Sequence, residues 1–155
     1  CMKILLAKDA GYCFGVRDAV NMAYDSAEKN GDVYMLGDIV HNENVVTDLE
    51  KVGVKVVKDL KDVPKEKPIL FRAHGTKTDI WKEAESENMK IIDATCPLVH
   101  EIHHEVKKIS KDGRQIFVIG DHGHDEVVAI ADQVKGTIVI YSVSSLDQGS
   151  PNRDR

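Results

Sequence analysis

The chain has 155 residues, 42% hydrophobic and 30% charged, an ordinary balance for a soluble globular protein with a core in one domain or two small ones. With 21 Lys and Arg against 26 Asp and Glu the net charge is −5, which argues against a nucleic-acid partner. No apolar run approaches the roughly 20 residues that a membrane-spanning helix needs, no signal peptide is expected at the start, and three Cys, an odd count, argue against a disulfide framework. A cytoplasmic protein is expected, and there a Cys in a loop more often serves a metal or catalysis than a bridge. Cys1 precedes Met2, which looks like a native start, and is read as an addition ahead of it.

In chain order, residues 2–7 form a short apolar run read as a strand. Residues 17–30 place Val20, Ala23, Tyr24 and Ala27 at helical spacing, with Gly31 as a stop. Residues 33–36 read as a strand. Asn42 can cap a helix that carries Val45, Val46, Leu49 and Val52 on one face and ends at Gly53. A short strand at 54–57 precedes a charged connector, 59–67, and a strand at 69–71. Residues 76–88 read as a helix with Ile80, Trp81 and Ala84 inward, followed by a strand at 90–92. Pro97 suits the first turn of the next helix, which carries Leu98, Val99, Ile102, Val106 and Ile109 to about Lys111. A strand at 115–119, a helix with Val127, Ile130, Ala131 and Val134, and a strand at 137–141 complete the pattern. The polar tail, 142–155, loses it. The repeated alternation predicts an α/β fold with mostly parallel sheets and flanking helices. The expected partition is a first α/β lobe over 1–96, part of a second over 97–141, and an irregular tail over 142–155.

The chemistry-bearing residues sort onto junctions between these elements. Cys13, His41, His74, Cys96, His122 and His124 each fall where a strand-like run gives way to a helix-like one. In an open parallel sheet such junctions share the edge where ligands bind. Cys13 lies between Gly11 and Gly15, although a small buried apolar residue is the commoner role of a free Cys. Cys96 precedes a helix start, where the thiolate form that binds metal is favoured. The two Cys are 83 residues apart, so spacing alone matches neither a zinc finger nor a ferredoxin run. His41, His74 and His124 each precede a helix N-terminus, which attracts anions; there an imidazole suits phosphate binding and metal ligation about equally. One loop His is ordinarily solvated or capping, but three in parallel positions are harder to dismiss. His122 is read as a loop residue, and His100, His103 and His104 as mostly a solvated helix face. Glu126 is either a first-turn carboxylate complementing the helix dipole or a general acid beside a bound anion. Asp93 and Thr95 are read as structural.

Gly-Tyr-Cys-Phe-Gly-Val around Cys13, Val-His-Asn around His41, Ala-His-Gly around His74, Asp-Ala-Thr-Cys-Pro-Leu-Val around Cys96 and Gly-His-Asp-Glu-Val around His124 stand in family order. Together they strongly resemble the LytB family, the 4-hydroxy-3-methylbut-2-enyl diphosphate reductases of isoprenoid synthesis. The resemblance implies a three-lobed α/β architecture around a [4Fe-4S] cluster held by three cysteines. It implies removal of the substrate's hydroxyl as water, giving isopentenyl and dimethylallyl diphosphates, with electrons from a donor such as ferredoxin or flavodoxin. By position, Cys13 and Cys96 match two cluster ligands, His41, His74 and His124 the diphosphate-binding histidines, and Glu126 the proton-relaying carboxylate.

The resemblance runs from Met2 to about Tyr141, roughly the first half of the family pattern. The third cluster cysteine, a Ser-x-Asn phosphate segment and a site threonine, all from later in that pattern, are absent. Ser150-Pro151-Asn152 carries the letters of that segment but lies too early. The expectation is a family member whose chain is truncated, with Cys1 not standing in as a ligand. Two other readings stay open. One is a zinc hydrolase built on the three loop histidines with Glu126 as base, which leaves both junction cysteines unexplained. The other is a non-catalytic remnant that keeps the fold.

Overall fold

The computed structural model describes residues 2–8 and 11–142. Cys1 and all but the first residue of the polar tail lie outside that range. Four parallel strands form one sheet: β1 (Val33–Leu36), β2 (Val54–Val57), β3 (Ile69–Phe71) and β4 (Ile91–Asp93), in the order β2-β1-β3-β4. A second, two-stranded parallel sheet pairs β5 (Phe117–Ile119) with β6 (Ile138–Ile140). Between the strands run α1 (Phe14–Asn30), α2 (Glu43–Lys51), α3 (Thr78–Ser86), α4 (Pro97–Lys111) and α5 (Asp125–Asp132), with a short 3-10 turn at Leu60–Asp62. This is the α/β architecture that the alternation predicts.

Two apolar clusters flank the larger sheet. On one side Ala19, Ala23 and Ala27 of α1 and Leu49 of α2 pack on Val33, Met35, Val54 and Leu70. The small side chains of α1 allow that helix to lie close against the strands. On the other side Phe71 and Ile69 meet Ala84, Ile80 and Trp81 of α3, with the Phe71 and Trp81 rings edge to face at 4.8 Å. Residues on alternate faces of β3 thus serve both clusters, which is why this strand reads as continuously apolar.

Three expectations are corrected. Residues 2–7 are not a strand; they pair with nothing among the described residues, and Ile4, Leu5 and Leu6 are 73%, 80% and 91% exposed. An apolar run becomes a strand only where a neighbour completes its hydrogen-bond ladder. Cys13 therefore begins α1 without a preceding strand. In α4 the buried positions are Val99 and His103, whereas Leu98 and Ile102 are exposed. The buried face is turned by one residue from the apolar stripe, and His103 belongs to the interior rather than to a solvated face. In α1, Tyr24 is exposed while Ser26 is buried.

Candidate functional site

The parallel order of β1, β3 and β4 puts their carboxyl ends on one edge, and each is followed by one of the sorted residues. His41 follows β1, His74 follows β3 and Cys96 follows β4. Asn42 caps α2, its side-chain oxygen accepting from the Asn44 and Val45 amides, and its amide nitrogen donates to the Tyr12 hydroxyl at 2.9 Å. That bond ties the Cys13 loop to the His41 loop. His124, after β5, caps α5: the Glu126 amide donates to His124 Nδ1 at 3.3 Å. With Nδ1 accepting, a neutral His124 ring carries its proton on Nε2, which is then a donor.

The three loop histidines converge. The His41 and His74 rings stack at 4.6 Å, and the His124 ring stands edge-on to both at 5.7 and 5.9 Å. His41 and His124 are exposed, while the His74 ring is largely covered and its Nε2 is shielded without a hydrogen-bond partner. Burial, with help from His41 and Arg72, holds the His74 pKa below the ordinary histidine value, so at neutral pH this ring is uncharged. Glu126 Oε2 approaches His74 Nδ1 at 4.0 Å. That is too long for a hydrogen bond, and beside a neutral ring it is not an ion pair. The group is a half-covered set of imidazoles with a carboxylic acid at its margin and a helix N-terminus beneath it. Such a set can hold a phosphate-type anion and offer it a proton.

The thiols lie at the starts of α1 and α4. Cys13 and Cys96 are the N-cap residues of these helices, and neither sulfur makes a capping hydrogen bond. Cys96 Sγ lies directly against Gly15, where any side chain would overlap it. Neither sulfur is thus tied down as a cap, and Cys96 Sγ occupies the room that the missing Cβ of Gly15 leaves. Sulfur donors at helix N-termini have the chemistry that suits an iron–sulfur cluster. Among the described residues no three His, Cys, Asp or Glu side chains are arranged to close on a single metal ion.

The Cys96 loop is fastened to the His74 loop along its length. The amides of Ala94 and Cys96 donate to the carbonyls of Phe71 and Ala73, and Thr95 Oγ1 donates to the Arg72 carbonyl. Asp93 takes the Thr95 amide on one oxygen and His100 Nε2 on the other, at 3.0 and 2.8 Å. Both side chains thus bond within and between these loops. His122 stands apart, its ring against Tyr141. Two features escape sequence reading. His103 is buried beneath Gly75, with Nε2 unpartnered and its pKa lowered by burial, then by Lys107 and His100. Arg72 forms a two-pronged ion pair with Asp125, at 2.8 and 3.1 Å. The only signal for the latter is a charged residue set against the apolar run Ile69-Leu70-Phe71, and it names no partner.

Among the described residues no helix is long and apolar enough to cross a membrane. The chain is 39% identical over 148 residues to the 4-hydroxy-3-methylbut-2-enyl diphosphate reductase of Clostridioides difficile (strain 630), covering 95% of this chain and 52% of that protein. It is 41% identical over 139 residues to the protein of the same name from Geobacter metallireducens, covering 90% and 49%. It superimposes on the solved E-1-hydroxy-2-methyl-but-2-enyl-4-diphosphate reductase of Plasmodium falciparum with a TM-score of 0.87 and 31% identity, over 91% of this chain and 45% of that one. The chain thus spans about half the length of the relatives it matches. The family model described as LytB protein matches residues 4–153, so the junction cysteines and histidines stand within a family match that takes in nearly the whole sequence: the chain belongs to the LytB family.

Proposed function

We propose that the protein takes part in reductive dehydroxylation of 4-hydroxy-3-methylbut-2-enyl diphosphate to isopentenyl and dimethylallyl diphosphates, and that this chain supplies about half of the enzyme. The observation that carries this reading is the convergence of His41, His74 and His124, with ring centroids 4.6 to 5.9 Å apart and the Glu126 carboxylate beside them.

In this reading the three imidazoles bind the diphosphate. The neutral His74 contributes hydrogen bonding rather than charge, and His124 donates through Nε2. Glu126 gives a proton to the departing hydroxyl, so that water rather than hydroxide leaves. Cys13 and Cys96 are two ligands of a [4Fe-4S] cluster, and further sequence of the enzyme supplies the third. When bound, the cluster delivers electrons and a Lewis-acidic iron to the reacting carbon–oxygen bond. The electron donor is a ferredoxin or flavodoxin, the setting is cytoplasmic, and neither nucleic acid nor membrane is a partner. We assign residues 1–96 to a first lobe and 97–141 to part of a second. Support comes from the separate sheets β1–β4 and β5–β6, although residues 2–8 add no strand to either.

The test is anaerobic reconstitution of the full-length reductase that contains this chain, followed by the visible spectrum, iron and acid-labile sulfide analysis, and titration with the allylic diphosphate. A brown protein with about four irons and four sulfides, as in the cubane type, and diphosphate binding weakened by His124→Asn without loss of colour are the expected results. Zinc without sulfide would replace this reading with a hydrolase. A colourless chain that binds no diphosphate would reduce it to a non-catalytic relative.

A further inference from the structure

The histidines that meet in the site come from different sheets. His41 and His74 follow strands of the four-stranded sheet, whereas His124 and Glu126 begin the helix between the two strands of the smaller one. The rings meet only if α5 is held at a fixed place over the larger sheet. Two ties do this. At the far end of α5, Asp132 Oδ2 accepts from the Thr78 amide at 2.6 Å. At the near end, Asp125, between His124 and Glu126, is gripped by Arg72.

Arg72 does more than hold Asp125. Its backbone lies two residues before His74, and its carbonyl accepts from Thr95 in the Cys96 loop. Its side chain runs along Gly37, the residue that follows β1 and leads to His41. A Cβ there would lie 3.0 Å from Nη1 and 3.3 Å from Cζ. One residue therefore touches all four loops: those of His41, His74, Cys96 and His124. Arg72 and Asp125 are 23% and 34% exposed at their side chains, so the pair is only partly screened by water.

We propose that Arg72 is the positioning residue of this site: by gripping Asp125 while lying along Gly37, it sets His124 and Glu126 against His41 and His74. The pair does not touch the substrate. It acts by fixing where the first turn of α5 stands. Lysine cannot replace arginine in this role, because a point charge cannot make the planar two-pronged contact that fixes orientation as well as distance.

The proposal deepens the diphosphate reading and rests on it, but it also predicts a ring geometry that stands without it. The test uses the 155-residue chain with Arg72→Lys, Asp125→Asn and Asp125→Glu. Inorganic diphosphate is titrated by calorimetry, and the His ring-proton resonances are followed by NMR. Charge alone predicts that Asp125→Asn, which removes a carboxylate beside an anion site and frees an arginine, binds diphosphate more tightly. Positioning predicts the opposite sign: Asp125→Asn and Arg72→Lys each weaken binding by about tenfold, the scale of a lost charge-assisted hydrogen bond. They also move the His124 ring signals as the ring leaves its neighbours, and Asp125→Glu recovers part of both effects. Binding by Asp125→Asn as tight as or tighter than the parent would overturn the proposal. If the parent itself binds no diphosphate, the diphosphate reading falls and the ring signals decide alone. Signals unmoved in Asp125→Asn and Arg72→Lys would then refute positioning, and signals displaced in both would sustain it.

Discussion

Gly75→Ala tests whether the loop that carries His74 is seated on α4 as tightly as the geometry states. Residue 75 has φ +88°, where an L side chain is strained by about 1–2 kcal/mol. The new methyl group would also lie 2.9 Å from His103 Cε1 and 3.2 Å from Val99 Cγ1. Neither neighbour is a free side-chain end. His103 and Val99 are 8% and 5% exposed on the buried face of a fifteen-residue helix, so the overlap is relieved only by shifting backbone. Overpacking of this kind costs about 1–3 kcal/mol, which with the backbone strain gives a destabilisation of about 2–5 kcal/mol. Urea unfolding followed by circular dichroism measures it. The decisive comparison is the same substitution in a His103→Ala background, where the imidazole is gone and the cost falls toward the backbone part, about 1–2 kcal/mol, plus what the remaining Val99 contact adds. A Gly75→Ala variant less than about 1 kcal/mol weaker than the parent would refute the reasoning. So would one whose cost is unchanged when His103 is removed.

Three other outcomes follow from the same contacts. His103 and His74 are held below the ordinary pKa of 6.5 chiefly by burial, so the unfolded chain takes up protons first as the pH falls. Stability is therefore full above pH 6.5 and declines as the pH drops through the lowered values; His103→Gln flattens that decline in urea midpoints measured between about pH 7.5 and 5. Asn42→Ala removes the cap of α2 and costs about 1 kcal/mol, whereas Asn42→Asp keeps the acceptor and loses only the donation to Tyr12, so a smaller loss in thermal or urea unfolding is expected. In the full-length reductase, Glu126→Gln lowers kcat about a hundredfold or more with little change in diphosphate affinity, and a variant of unchanged turnover would remove Glu126 from the proton path.

What the sequence made legible follows from local physics. Strands β1, β2 and β3 stand at the predicted residues because β-branched and apolar runs are bounded there by Gly, Asp or Pro. Helix α4 runs over Pro97–Lys111 as read, because Pro favours a first turn and its side chain cannot follow later. Asn42 caps α2 as its position suggested. The meeting of His41 and His74 was foreseeable from parallel topology, since the ends of β1 and β3 share one edge, whereas His124 comes from the smaller sheet and its arrival there follows from no such rule. The remainder depends on partners distant in sequence. Residues 2–7 have a strand's composition but no ladder. The apolar stripe of α4 pointed to Leu98 and Ile102, yet the helix buries His103, because what α4 packs against is the bare backbone at Gly75. Arg72 and Asp125 are separated by 53 residues, and no spacing rule connects them.

The bonds between loops also indicate how a thiol and an imidazole can be kept in one geometry on segments that look mobile in sequence. Loops are ordinarily the loosest parts of a fold. Here, however, β3 and β4 are neighbours, and their pairing continues past Phe71 and Asp93. Ala94 donates to Phe71, Cys96 donates to Ala73, and the Thr95 hydroxyl closes on Arg72 between them. His74 and Cys96 therefore ride on what is in effect one extended ladder, and α4 presses on it from beneath through Val99 and His103. A reactive centre requires its groups to stay within about 0.5 Å of their working positions. Extending a parallel sheet beyond its formal ends achieves that for these two residues through the backbone. His124 and Glu126 have no such ladder to the larger sheet. Their placement rests on the packing of α5 against α4 and on the ties at its ends, Asp125 and Asp132, so a change at Asp125 should disturb the His124 ring and leave the spacing of His74 and Cys96 intact.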